Sequence, residues 1–270
     1  MSDGPASDQI AEFRGFTESL AELASAAVRE QIEGLSLEIK ADGSPVTTVD
    51  LAVERVLRQM IEERYPAHGI LGEEYGNSRI DADWLWVLDP IDGTRQFAAG
   101  LANYGVLIAL CHRGAPVIGV ICQPLIGDLY LGVLAGPAQG AWRAGRPLRT
   151  RVTTRLSDAI ACVADPDSFN GAAADGREAI RGGSGWNVYD GSCIGFGALA
   201  AGRLDLCLCG PNLDPFDICA LVPVVEGAGG VITDWSGKRL TAASKGAIVA
   251  SCTEALHAEA LALLPDDPTG

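Results

Sequence analysis

Apolar residues recur at helical spacing over residues 8–31, where Ile10, Phe13, Phe16, Leu20, Leu23 and Ala27 fall on one face, and the pattern stops near Gly34. A second helix is expected from about Thr48 to Tyr65, with Leu51, Val53, Val56, Leu57, Met60 and Ile61 as its buried stripe. Thr47 or Thr48 suits its N-cap, and Asp50 and Glu54 suit its positive first turn. Past Gly69 the rhythm shortens. The apolar runs Trp84–Leu88, Tyr104–Cys111, Val117–Cys122 and Leu129–Leu134, punctuated by Gly and Pro, predict strands of a largely buried sheet. A basic, polar stretch over residues 145–155 (Arg146, Arg149, Arg151, Arg155) is where the chain divides best, into halves 1–148 and 149–270. In the second half, residues 171–185 are rich in Gly and Ala and read as a mobile loop. Helices are expected at 195–202 and 216–228, a strand at Val231–Thr233, and a last helix over about Thr253–Leu264. Helices and strands alternate without a regular βαβ rhythm, which predicts layered α and β rather than a barrel.

Composition narrows the class. The chain has 270 residues, 48% hydrophobic and 20% charged, as a globular protein does. It has no run of about 18 apolar residues, so no membrane span is expected. Met1-Ser2-Asp3-Gly4-Pro5 carries neither a basic flank nor an apolar segment, which argues against a secretory signal. Eight cysteines are scattered in apolar surroundings without a C-x-x-C pair and read as reduced, buried thiols. His68, His112 and His257 are too far apart to pair as zinc ligands. A cytoplasmic location is expected. The net charge of −15 argues against nucleic acid as a partner, because phosphates are repelled at long range. A bound cation would reverse that repulsion locally.

The chemistry concentrates in three acidic turns. In Trp86-Val87-Leu88-Asp89-Pro90-Ile91-Asp92-Gly93-Thr94 an apolar strand runs into Asp89, Pro90 forces a turn, and Asp92-Gly93-Thr94 opens the next element. Two carboxylates three residues apart at a strand end can converge, with the Ile91 carbonyl between them. Hard oxygen donors of this kind suit Mg²⁺. If a helix begins there, the N–H groups of Gly93 and Thr94 suit a phosphate. Taken alone, the same string also serves as ordinary turn chemistry. The second turn, Gly72-Glu73-Glu74-Tyr75-Gly76, sets two acids after a short apolar run. The third, Asp214-Pro215-Phe216-Asp217-Ile218-Cys219-Ala220, puts a carboxylate at the start of an apolar helix that stops at Gly227-Ala228-Gly229-Gly230.

These three segments, in this order over residues 40–237, resemble those of the Mg²⁺-dependent, lithium-sensitive phosphatases typified by inositol monophosphatase. The resemblance implies an α/β/α/β/α sandwich and hydrolysis of a small phosphate monoester with two or three Mg²⁺ ions. By motif it assigns the metal ligands to Glu73, Asp89, the Ile91 carbonyl, Asp92 and Asp217. It matches Asp50 and Thr94 to the pair that activates the attacking water, with Glu73 supporting them through a metal. Asp92, Gly93, Thr94, Ser192 and Asp217 are the expected phosphate and substrate contacts, and a homodimer is expected by analogy. Lys40-Ala41-Asp42-Gly43-Ser44-Pro45-Val46-Thr47 and Leu221–Trp235 resemble the histidinol-phosphate phosphatase branch more than the inositol branch. The chain departs from the family at Gly210 and Ser192, where acids are usual, and at Ala99, where a polar or basic residue is. Asp190, Asp205 and Asp214 are the acids that could substitute. Inositol 1-phosphate is the alternative substrate. Arg177 and Arg181 leave a sugar or nucleotide bisphosphate open, and a metal- or phosphate-sensing descendant without activity is the rival class.

Overall fold

The computed structural model describes residues 7–34, 36–41, 43 and 45–268. The Met1–Pro5 segment, and Asp42 and Ser44 of the Lys40–Thr47 string, lie outside the described residues. Helix α1 (Ser7–Gln31) buries Ile10, Phe13, Leu20 and Ala27, the face that the periodicity predicts. Strands β1 (Leu37–Ile39) and β2 (Pro45–Thr47) form an antiparallel ribbon that leads directly into α2 (Thr48–Arg64). Thr47 caps α2: its hydroxyl accepts from the N–H groups of Val49 and Asp50, and Asp50 returns a carboxylate to the Thr47 N–H at 3.0 Å.

Eight strands drawn from residues 69–147 make the larger sheet. They are β3 (Gly69–Gly72), β4 (Gly76–Ser78), β5 (Trp84–Asp92), β6 (Gly105–His112), β7 (Ala115–Gln123), β8 (Asp128–Val133), β9 (Gly140–Arg143) and β10 (Arg146–Pro147), with the short α3 (Thr94–Ala98) after β5. The spatial order is β10-β9-β8-β7-β6-β5-β3-β4. All pairs are antiparallel except β3 with β5, so the acidic turn after β3 and the acidic end of β5 emerge on the same side. That one parallel pairing brings the first two motifs together.

The smaller sheet follows, with β11 (Ile160–Val163), α4 (Ala172–Gly183), β12 (Trp186–Tyr189), α5 (Ser192–Ala200), β13 (Leu206–Cys209), α6 (Pro215–Ile218), α7 (Leu221–Gly227), β14 (Val231–Asp234), β15 (Ile248–Ser251) and α8 (Glu254–Leu261). Its order is β12-β11-β13-β15-β14. Three apolar clusters define the layers. One joins α1 and α2 to a face of the large sheet, one holds α5, α6 and α7 between the sheets, and one packs α4 and α8 on the far face of the small sheet. The result is the expected α/β/α/β/α sandwich. Among the described residues, no helix is long and apolar enough to cross a membrane. All eight cysteines are free thiols, and seven of them are buried.

Residues 171–185 are not a mobile loop. They contain α4, which buries Ala173, Gly176 and Ile180 along one face and exposes Asp175 and Glu178 on the other. Alanine favours helix, and tertiary burial of this stripe outweighs the glycine content that suggested a loop. Arg181 of this helix pairs with Glu178, and Arg177 lies over the Phe169 ring. The helix expected over 216–228 is two helices, α6 and α7, separated at Cys219-Ala220.

Helix α7 sits directly on the large sheet. A Cβ at Gly132 of β8 would lie 2.1 Å from the Pro223 carbonyl carbon, so only glycine permits this approach of helix to strand. Gly132→Ala is therefore expected to destabilise the protein by about 1–3 kcal/mol or more, as overpacking against backbone does. Thermal unfolding of the variant checks this; an unchanged midpoint would mean that the helix shifts at no cost.

Candidate active site

The three acidic turns meet at the junction of the two sheets. Asp89 and Asp92 end β5, and Asp217 sits in the first turn of α6. Their carboxylate oxygens lie within 4.8 Å of one another, and Asp89 is buried. Each is held by backbone donors. Asp89 accepts from the Ile91 N–H at 3.0 Å. Asp92 accepts from the Cys193 N–H at 2.8 Å and from the Ser192 hydroxyl, both at the start of α5. Asp217 accepts from the Asp214 N–H at 2.6 Å in a capping box. The trio therefore draws on both sheets, and closing it requires the whole fold.

Burial holds the Asp89 carboxyl well above the usual carboxylate range, and the charges of Glu73, Asp92, Asp217 and Asp50 push it further. Burial raises Asp217 in the same way, with Asp92 adding to it. Like charges gathered in a low dielectric repel one another, and a divalent cation relieves the repulsion. Hard carboxylate oxygens at this spacing fit Mg²⁺, the cofactor that the sequence implies. Among the described residues this is the one group of three or more acids, histidines or cysteines arranged to hold an ion.

Glu73 stands beside the trio rather than inside it. Its charge reaches Asp89 and Asp217, but its carboxylate accepts from the Lys40 ammonium at 3.3 Å. Burial pushes Glu73 up to about 7, with Lys40 opposing the shift. Glu74 accepts from the same ammonium at 2.8 Å, so Lys40 bridges the two carboxylates and offsets one of their two charges. The Ile91 carbonyl accepts from the Thr94 hydroxyl at 3.0 Å, and that hydroxyl lies 3.4 Å from Asp50. A hydroxyl carries one proton, so Thr94 can donate to Asp50 only when it releases Ile91. Asp50 is fully buried, and burial raises its carboxyl despite the hydrogen bonds from Thr47. The arrangement can hold a water-derived proton on a buried acid.

Gly93 adopts a left-handed φ of +88° and caps α3, so the helix anticipated after Asp92 does begin at Thr94. The N–H groups of its first turn have no intrahelical acceptor. Ser192, expected to contact substrate, turns its hydroxyl onto Asp92 instead. A cavity of about 170 Å³ opens beside the trio, with Asp92, Gly93, Ser192 and Asp217 in its wall.

A model of the inositol monophosphatase family matches residues 9–268. The chain belongs to the inositol monophosphatase family. It is a phosphoric monoester hydrolase of that family, acting on small phosphorylated substrates with Mg²⁺. It is 35% identical to the bifunctional phosphatase IMPL2, chloroplastic, of Arabidopsis thaliana over 90% of this chain and 70% of the relative. It is 32% identical to a histidinol-phosphatase of Chlorobaculum parvum over 86% and 89% of the two chains. The fold superposes with a TM-score of 0.84 on an inositol monophosphatase from Zymomonas mobilis, 35% identical, over 94% of this chain and 97% of the other.

Sequence reasoning missed the residue that holds the Glu73-Glu74 turn of this phosphatase. Glu54 is not a partner for the positive end of α2, as its position in the sequence suggested. It is fully buried, and its carboxylate accepts from the N–H groups of Glu74 at 2.7 Å and Tyr75 at 3.1 Å and from Arg58 Nε at 2.7 Å. Arg58 in turn donates to the Gly76 carbonyl. The signal was present in the chain: Glu54 shares the buried stripe with Val53, Leu57 and Ile61, where an acid needs a partner. Glu54→Gln is expected to cost about 1–3 kcal/mol of stability. It should also raise the Mg²⁺ concentration needed for half-maximal activity, because the turn that presents Glu73 loosens. Paired melts and Mg²⁺ titrations check both.

Proposed function

We propose that this enzyme hydrolyses histidinol phosphate to histidinol and inorganic phosphate, with two or three Mg²⁺ ions held by Glu73, Asp89, the Ile91 carbonyl, Asp92 and Asp217. The observation that carries the choice is the cavity beside the trio. Its charged side chains are Asp92, Asp190 and Asp217, and among the described residues no Lys, Arg or His lines it. An alcohol bearing a cationic amine suits such a wall, whereas a second phosphate would face only carboxylates. That disfavours a bisphosphate, and the pairing of Arg181 with Glu178 removes one of the arginines that suggested it. The likeness to histidinol-phosphatases supports the same substrate.

Held by Glu73, Asp89, the Ile91 carbonyl, Asp92 and Asp217, Mg²⁺ would neutralise the phosphate dianion and make a nearby water easier to deprotonate. Thr94 orients that water and passes its proton toward Asp50, supported by Glu73. The first-turn N–H groups of Gly93 and Thr94 receive phosphate oxygens, Asp92 and Asp217 complete the contacts, and Ser192 holds Asp92 in place. The water oxygen bonds to phosphorus as the bond from phosphorus to the ester oxygen breaks, and the leaving oxygen takes a proton from solvent to become the alcohol. Halves 1–148 and 149–270 act as the two walls of the cleft, the first supplying most ligands and the second closing it. We place the enzyme in the cytoplasm, in histidine biosynthesis, as a homodimer.

A panel of histidinol phosphate, inositol 1-phosphate and fructose 1,6-bisphosphate, assayed with Mg²⁺ and with chelator, tests the proposal. Histidinol phosphate is expected to show the highest kcat/KM, and only with Mg²⁺. A preference for inositol 1-phosphate would reassign the substrate. Metal-dependent binding without phosphate release would mark a sensor instead.

A further inference from the structure

Both positions where the family usually carries a substrate-facing acid are closed in this chain. A Cβ at Gly210 would lie 2.4 Å from the Ser168 carbonyl oxygen, so backbone fills the space that an acid there would need. Ser192 is occupied with Asp92. Of the three acids that could take over, two are already engaged. Asp205 is fully buried, pairs with Arg151 Nε at 2.9 Å and accepts from the Ile160 N–H at 2.8 Å. Asp214 caps α6 and pairs with the Lys245 ammonium at 2.6 Å.

Asp190 differs. It lines the cavity that Asp92 and Asp217 also line. Gln96 donates to its Oδ2 at 2.5 Å, and its Oδ1 receives no hydrogen bond among the described residues. The backbone is pinned on both sides, with the Asp190 N–H on the Val163 carbonyl at 2.9 Å and the Asn103 side chain on the Asp190 carbonyl at 3.0 Å. Asp190 has φ +52° and Ser192 φ +48°, two non-glycine residues in the left-handed region within three positions. Such conformations persist only where surrounding bonds over-determine them, and they concentrate at functional sites. Cys162, Cys207, Leu208 and Phe196 line the same cavity, an apolar surface that strengthens an ion pair and penalises an unpaired ammonium.

We infer that Asp190, oriented by Gln96 and the strained Asp190-Gly191-Ser192 turn, is the specificity carboxylate of this enzyme and binds the ammonium group of an amino-alcohol phosphate. The inference rests on the phosphatase reading of the same cleft and deepens it. The ammonium donates to Oδ1 while the phosphate sits at the acidic trio, so the substrate spans the cavity. The acid supplied elsewhere in the family from two other positions is supplied here from a third.

The test compares histidinol phosphate with its deaminated counterpart, 3-(imidazol-4-yl)propyl phosphate, in the parent enzyme and in Asp190→Asn. Asparagine can still accept from Gln96, so the turn is retained, which a melting curve confirms. The parent is expected to favour the amine-bearing ester in kcat/KM by roughly tenfold or more, the worth of a charge-assisted hydrogen bond. In Asp190→Asn that ratio is expected to collapse towards one, mainly through KM. A parent without preference, or a variant that keeps it, overturns the assignment of Asp190 while leaving the phosphatase reading intact. If the parent hydrolyses neither ester nor any other member of the panel with Mg²⁺, the function and this assignment fall together.

Discussion

Asp92→Asn is expected to fold and to release phosphate about a thousandfold more slowly than the parent, since a metal clamp contributes several kcal/mol to phosphoryl transfer. Asparagine matches the shape of the side chain and still presents one oxygen to the Cys193 N–H and the Ser192 hydroxyl, the two donors that bind Asp92. It removes one charge from three carboxylates whose oxygens lie within 4.8 Å. Two consequences follow in opposite directions. Cation affinity drops and activity goes with it, while the metal-free protein loses a repulsion and should melt no lower than the parent. Phosphate release and thermal unfolding, each with and without Mg²⁺, separate the two. Turnover within tenfold of the parent would remove Asp92 from the catalytic centre. A large fall in the metal-free melting temperature would mean that Asp92 serves the fold instead.

Removing the metal should make stability fall as pH rises. Asp89 and Asp217 are held well above the usual carboxylate range, and Glu73 is pushed up to about 7, in each case chiefly by burial. In the unfolded chain these groups titrate near 4. Between roughly pH 4 and 7 the folded metal-free state therefore binds more protons than the unfolded state, so stability decreases with increasing pH across that window. Above it the Glu73 contribution is complete, and the raised carboxyls of Asp89 and Asp217 act in the same direction. Mg²⁺ competes with those protons and should reverse the trend. At about 100 times its dissociation constant it adds roughly 2.7 kcal/mol, or roughly 5–10 °C in the unfolding midpoint for a chain of this size. The increment should be larger at pH 8 than at pH 6, and Mg²⁺ binding near pH 6.5 should release protons into an unbuffered solution. A metal-free midpoint that rises with pH, or an increment independent of pH, would contradict the placement of these carboxylates.

The local signals were reliable where one element decides its own fate. The stripe from Ile10 to Ala27 and the cap at Thr47 depend on neighbours within a few residues, and α1 and α2 run as the periodicity predicts. The Asp89–Thr94 string was legible for the same reason: strand, turn and helix start are all encoded within nine residues. Where the decision needed a distant partner, the reading failed. Residues 171–185 looked like loop because glycine and alanine carry little apolar signal, yet Ala173, Gly176 and Ile180 find a buried face and form α4.

By itself, then, the sequence determined the chemistry of this protein: which acids stand at element ends and in which order, and, through the resemblance those motifs carry, a Mg²⁺-dependent phosphatase of the inositol monophosphatase family. Tertiary structure alone decided which acids converge. The parallel pairing of β3 with β5 and the docking of α5 and α6 bring Asp89, Asp92 and Asp217 within 4.8 Å, engage Glu73 with Lys40, hide Glu54 beneath its turn, and leave Asp190 in the wall of the cavity. The physical reason is range. Capping, periodicity and turn preferences act over a few residues, whereas carboxylate repulsion, burial and the shape of a cavity exist only once segments 100 or more residues apart share one space.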